Sequence, residues 1–102
     1  MNIEYDPEAL DELRRNMAYY EGKQPGLGND FLDEVEAVVA GIARSPNRYP
    51  EFRSSGRRKA RLNRFPHTVY FIPQPGGIWI AGVRGDGQND SWLTRQPPTD
   101  PA

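Results

Sequence analysis

Between Glu51 and Asp86 the chain carries no acid and seven bases: Arg53, Arg57, Arg58, Lys59, Arg61, Arg64 and Arg84. Such a run suits a polyanion, either nucleic acid or an acidic protein segment. Lys59 and Arg61 stand two residues apart, so in a strand they share one face. The charge is also split along the whole chain. Residues 1–51 hold 11 acids and 5 bases, and residues 52–102 hold 3 acids and 8 bases. A total of −1 therefore hides halves of −6 and +5. The bland alternative is a basic face that the acidic half neutralises internally. Charge alone leaves the two readings open.

Other residues with chemical potential are few. His67 is the single histidine. It titrates near neutral pH and suits a proton shuttle, but a half-buried strand residue is the more economical reading. Tyr70, beside Val69, reads as strand packing before it reads as an acid. Trp79 and Trp92 have rings that stack on bases, yet sheet packing for Trp79 and a tail anchor for Trp92 fit as well. Asp30, Asp33, Glu34 and Glu36 come without a His or Cys neighbour and read as a solvated helix face, not a metal site. Gly26/Gly28 and Gly85/Gly87 lack the strand, helix and Lys context of a phosphate-binding loop. No metal and no cofactor are expected.

The elements that must position these residues follow from the pattern. At 102 residues the chain is expected to form one small domain, residues 1–95, with 96–102 as a frayed tail. There is no cysteine, hence no disulfide. No apolar run is long enough for a membrane span, and the first residues lack a signal-peptide pattern. A soluble, cytoplasmic protein is the expectation. Ile3–Tyr5 suit a short edge strand. Asp6-Pro7-Glu8 is a helix start, with a cap, a proline at the first position and an acid at the positive end of the dipole. Leu10, Leu13, Met17 and Tyr20 follow at helical spacing. Gly22 to Gly28 is a turn rich in breakers. A second helix buries Phe31, Val35, Val38, Val39 and Ile42, and Ser45-Pro46 ends it. Period-two alternation begins at Arg58 and runs to Phe65. His67 to Ile72 and Ile78 to Val83 are further strands, joined through Pro73-Gln74-Pro75-Gly76-Gly77. The order β-α-α-β-β-β predicts an α+β domain, with an N-terminal helical hairpin packed on a small twisted antiparallel sheet. The other face of that sheet should be basic and open at Lys59 and Arg61.

With these residues in this order, the chain resembles the RelE/ParE toxins of bacterial type II toxin–antitoxin modules. The resemblance spans about Ile3 to Arg95. It rests on Ala18-Tyr19-Tyr20-Glu21, Pro25-Gly26-Leu27-Gly28, Phe31-Leu32-Asp33-Glu34-Val35, Ser45-Pro46 and Tyr49-Pro50. It continues through Arg58, Leu62, Arg64-Phe65-Pro66 and Val69-Tyr70 to Trp92 and Arg95. The resemblance implies a cognate antitoxin that wraps and masks the chain in a hetero-oligomer. It implies no membrane partner. It also implies one of two activities: RelE-like cleavage of mRNA on the ribosome, or ParE-like, non-hydrolytic inhibition of DNA gyrase.

Metal-free RNA cleavage needs a base, a cation for the phosphorane and an acid for the leaving oxygen. The resemblance makes Lys59, Arg61 and Arg64 the catalytic candidates. It makes Arg57, Arg58, Lys59, Arg61, Arg84, Trp92 and Arg95 the candidates for target or antitoxin binding. Two departures weigh against cleavage. Thr68 precedes Val69-Tyr70 where related toxins often carry an Arg. The segment Gly85-Asp86-Gly87 lies where they carry a His and an arginine pair. The sequence reading therefore favours the ParE-like toxin. The mRNA endonuclease and a degenerate, non-toxic antitoxin binder are the alternatives.

Overall fold

The computed structural model describes residues 2–53 and 55–98. The strand β1 (Asn2–Tyr5) leads into helices α1 (Pro7–Lys23) and α2 (Leu27–Arg44). A 3₁₀ turn (Pro46–Arg48) follows, then strands β2 (Arg58–Arg61), β3 (His67–Gln74) and β4 (Gly77–Gly85). A last 3₁₀ turn spans Ser91–Thr94. Of the expected tail, residues 96–98 carry no regular structure, and residues 99–102 lie outside the described residues.

The helix start is as the sequence implies. The Asp6 carboxylate accepts the Glu8 N–H at 2.9 Å, and Pro7 opens the helix. The end differs. Helix α1 runs through Gly22 to Lys23, so the breaker-rich turn shrinks to residues 24–26. The reason is a long-range cap. Gly26 takes a left-handed φ of 90° and brings no capping side chain. The Glu21 carboxylate of α1 instead accepts the N–H groups of Gly26 and Gly28 at 3.0–3.1 Å. One acid thus satisfies orphan donors at the start of α2 and locks the hairpin.

The sheet has four strands in the order β1-β4-β3-β2. The three hairpin-linked strands are antiparallel, but β1 pairs with β4 in parallel, Ile3 opposite Ile78. The sheet is therefore mixed and not antiparallel throughout. A tight turn forces its two strands to alternate in direction. β1 is joined to the sheet only through the long helical crossover, which permits a parallel partner.

Strand β4 holds a second feature that simple alternation misses. Tyr70 pairs with Gly82, but the next residue, Phe71, pairs with Ile80. Ala81 is the extra residue of a β-bulge. The bulge lets Ile78, Ile80 and Val83 all face the helices, beside Val69 and Phe71 of β3. That face packs on Ala9, Leu13, Phe31, Val35, Val39 and Ile42 to form the main core.

Most of the opposite face is covered, and the expected basic opening is confined to Lys59 and Arg61. Trp79, Ala81 and Trp92 form a second buried cluster there, ringed by Phe52, Tyr70, Ile72 and Leu93. Two segments without regular strands, the loop at Phe52 and the C-terminal turn at Trp92, lie over the middle of the sheet. Only the β2 end of this face stays exposed, and that end carries Lys59 and Arg61.

Candidate functional site

A groove of about 610 Å³ opens around the β2 edge. Ala37, Val38 and Gly41 of α2 form one wall, with Tyr49 and Pro50 beside them. Lys59, Ala60 and Arg61 of β2 form the floor, and Thr68, Tyr70 and Asp86 close the far side. The strand register explains this grouping. Lys59 lies opposite Tyr70 and Arg61 opposite Thr68, so all four side chains share a face.

Hydrogen-bond parity fixes which backbone groups remain available. The Lys59 N–H points away from β3 and donates to the Pro50 carbonyl at 3.0 Å. Leu62 N–H, three positions on, points inward to His67. Arg61 shares the parity of Lys59, so its backbone N–H and carbonyl face outward at the open edge.

Within the groove the charges are unequal. Arg61 makes a two-pronged pair with Asp86, both N···O distances being 2.9 Å. The hydrogen bond to Asp86 raises the Arg61 pKa, and the same bond lowers that of Asp86. Lys59 makes no ion pair among the described residues, and its ammonium lies 5.9 Å from the Phe52 ring centroid. Burial raises the Tyr70 pKa, against a hydrogen bond from Thr68 that lowers it. Tyr70 keeps its proton at neutral pH.

The other sequence candidates are elsewhere, engaged in holding the fold. Arg57 is buried and donates to the Ser55 and Arg95 carbonyls at 2.9 and 2.5 Å. Arg58 donates to the Tyr49 carbonyl at 2.6 Å. Arg64 lies beyond β2, with its guanidinium 3.6 Å from Asp30 and its N–H on Glu34. It does not line the groove. Trp92 is buried and stacks 4.3 Å from Tyr70, centroid to centroid. Arg53 pairs with Asp90.

Arg84 and Arg95 converge on one buried acid, Glu12 of α1. Arg84 Nη1 donates to Glu12 Oε2, and Arg95 donates to both Glu12 oxygens at 2.9–3.0 Å. Both guanidiniums are about 10% exposed and Glu12 about 5%. The same carboxylate accepts the Val83 N–H at 3.1 Å. Asn16 donates to the Val83 carbonyl at 3.4 Å, and Arg95 to the Ala81 carbonyl at 3.0 Å. Where β1 ends, side chains thus take over the free edge of β4 and deny it to another strand. Gly82 leaves room chiefly for the Arg84 stem. A Cβ there would lie 3.4 Å from the Arg95 guanidinium and 3.1 Å from the Arg84 stem. Burial works against the charge of Arg95, yet hydrogen bonding to Glu12, with Glu8 and Asp6 nearby, holds its pKa above the usual value.

His67 is on the wrong side of the sheet to serve the groove. It faces the helices, packed edge-on against Phe31 and Tyr20 at centroid distances of 5.0 and 5.8 Å. Its Nδ1 is buried with no hydrogen-bond partner among the described residues. Burial lowers its pKa, Asp86 opposing the shift and Arg61 adding to it. The neutral imidazole is therefore the folded form. A depressed folded-state pKa contributes stability that is complete above the unfolded value of about 6.5 and is lost as pH falls through the folded value. The urea midpoint should drop between neutral pH and mildly acidic pH, and His67→Phe should flatten that part of the profile. An unchanged slope in the variant would rule out His67 as its cause.

No family model matches the chain, and neither does any curated protein. A solved chain of the chromosomal ParDE TA system from P. aeruginosa superposes on it with a TM-score of 0.73. The match covers 83% of this chain and 95% of that one, at 17% sequence identity. The chain has the RelE/ParE-like fold. The groove lies at the β2 edge of the sheet, and the Glu12 cluster covers the edge of β4 beyond the end of β1. No helix among the described residues is long and apolar enough to cross a membrane. No group of His, Asp and Glu side chains among them is arranged to hold a metal ion.

The sequence reading missed Glu12, Phe52 and the pairing of Asp86 with Arg61. Glu12 left a trace. Ala9, Glu12, Leu13, Asn16 and Tyr20 share one helical stripe, and an acid in a core-facing stripe signals a buried partner.

Proposed function

We propose that this protein is the toxin of a type II toxin–antitoxin pair, held inactive by a cognate antitoxin, and that it acts by binding its target without hydrolysis, in the ParE manner. The observation that carries this reading is the β2-edge groove on a ParDE-like fold, with its cations and open backbone but no acid–base pair. Lys59 and Arg61 are the cations there. His67 lies across the sheet among aromatic rings, and Tyr70 holds its proton firmly. Such a site grips an anion; Tyr70 keeps a proton, but the carboxylate of the groove, Asp86, is engaged by Arg61 and not free to act as a base. DNA gyrase is the target class this reading names.

A ribosome-dependent mRNA endonuclease is the second reading. The unpaired Lys59 favours it, because a free ammonium beside Tyr70 suits a phosphate. Arg64 contributes nothing to it from its place on the Asp30 side. A degenerate member that binds an antitoxin without toxicity is the third.

The antitoxin contact is tested by charge reversal. Lys59→Glu with Arg61→Glu should weaken the complex with the product of an adjoining antitoxin-like gene by roughly tenfold at low salt, and should flatten its salt dependence. Equal affinity of the variant and the parent at low and high salt would remove the groove from the interface.

A further inference from the structure

The Arg61–Asp86 pair has the form of a ligand complex built within one chain. The Asp86 carboxylate meets the guanidinium fork with both oxygens, each at 2.9 Å. This is the geometry that an external carboxylate would adopt on Arg61. The pair is open to solvent, with 59% of the Arg61 side chain and 56% of the Asp86 side chain exposed. Exposed pairs are held weakly, so one carboxylate exchanges for another at little net cost. The Asp86 backbone stays anchored through its N–H to the Pro66 carbonyl at 2.9 Å. Rotation of its side chain alone vacates the fork.

We propose that the groove takes the carboxylates of an acidic peptide in an extended conformation, and that Asp86 is a resident competitor which that peptide displaces from Arg61. The proposal deepens the antitoxin reading and rests on it for the identity of the natural partner. Three features select a peptide over a nucleic acid. The outward N–H and carbonyl of Arg61 offer main-chain pairing to an added strand. Ala37, Val38 and Ala60 line the groove with apolar surface suited to the side chains between the acids. Asp86, once rotated off Arg61, stays close by as a charge that repels a dense row of phosphates more than spaced carboxylates. An aspartate is ionised at neutral pH without a partner. The unpaired Lys59, two residues from Arg61 on the same face, supplies a second anchor.

A resident competitor reduces apparent affinity by the fraction of forks it occupies, so its removal must tighten binding. The probe is a short labelled peptide of alternating Glu and Val, followed by fluorescence anisotropy at low salt. Asp86→Asn should tighten its binding roughly three- to tenfold. Arg61→Gln should weaken binding, and adding Asp86→Asn to Arg61→Gln should restore nothing. Asp11→Asn, which removes an exposed acid on α1, controls for net charge and should change little. An unchanged or weaker Asp86→Asn variant overturns the proposal, as does a probe that binds none of the proteins. A gain that survives in the Arg61→Gln background, or that Asp11→Asn reproduces, reduces the effect to overall charge and overturns it too. An equal gain for a single-stranded RNA of similar length overturns the choice of a peptide. The toxin reading is judged separately, by complex formation with the antitoxin-like gene product. A complex whose affinity ignores Asp86→Asn would sink the competitor alone. Peptide binding as expected with no such complex would sink the toxin reading and leave the groove.

Discussion

Glu12→Ala is expected to destabilise the protein by roughly 3–5 kcal/mol in urea unfolding. The carboxylate is buried between two guanidiniums and also accepts the Val83 N–H. Removing it strands the charge of Arg84 and much of that of Arg95 in a dry setting, and leaves a backbone donor without its acceptor. Arg95 keeps Glu8, but that acid is about 70% exposed and screened by solvent. A small domain has total stability of about 5–15 kcal/mol, so the variant should sit near its unfolding threshold. Glu12→Gln keeps the shape and a weaker acceptor, and should fall between the two. A loss below about 1 kcal/mol for Glu12→Ala would mean that water, and not Glu12, satisfies these groups.

Trp92→Ala should cost a similar amount, roughly 3–5 kcal/mol, through the cavity it leaves. Trp92 is about 3% exposed and packs on Trp79 and Ala81, with the Tyr70 and Phe52 rings 4.3 and 5.7 Å away. Its loss should lower the melting temperature and uncover Trp79, which a red-shifted tryptophan emission would report. The same experiment separates an anchor from a contact residue. A Trp that serves a partner loses affinity on truncation while the free protein stays stable. Full stability of Trp92→Ala with a weakened complex would assign the residue to the interface.

These two residues show how far the sequence was legible. The helical hairpin was readable because each signal is local. Asp6-Pro7 caps α1, and the Phe31–Ile42 stripe packs at the spacing of one helical face. β2 was readable by alternation, although it ends at Arg61 and not at Phe65, and β3 by its β-forming residues; in β4 the Ala81 bulge shifts the phase, with Gly82 beside it as the local mark. The direction of β1 depends on the crossover and not on Ile3, Glu4 or Tyr5, so the parallel pairing with β4 had no signature. The site was less legible than the fold. The cation run from Arg53 to Arg84 looked like one surface, yet long-range folding sends its members to different duties. Arg84 goes to Glu12, 72 positions away, and Arg61 to Asp86, 25 positions away. Of these bases, only Arg64 and Arg84 pair with acids of the N-terminal half among the described residues; Arg53 and Arg61 pair with Asp90 and Asp86 of their own half. Arg57 and Arg58 bond backbone carbonyls, and Lys59 makes no ion pair among the described residues.

The proposed binding reading differs from the nuclease reading at the groove. Losing one oxyanion-type donor alone lowers a rate by roughly 10²–10³. Thr68 offers no cation, and Asp86 sits on the one arginine of the groove. The decisive measurement is induction of the chain alone in bacteria, with plasmid supercoiling and the 5′ ends of translated messages mapped from the same cultures. Growth arrest with altered supercoiling and intact messages is the predicted result. Discrete new 5′ ends within codons, lost on Arg61→Ala, would contradict it.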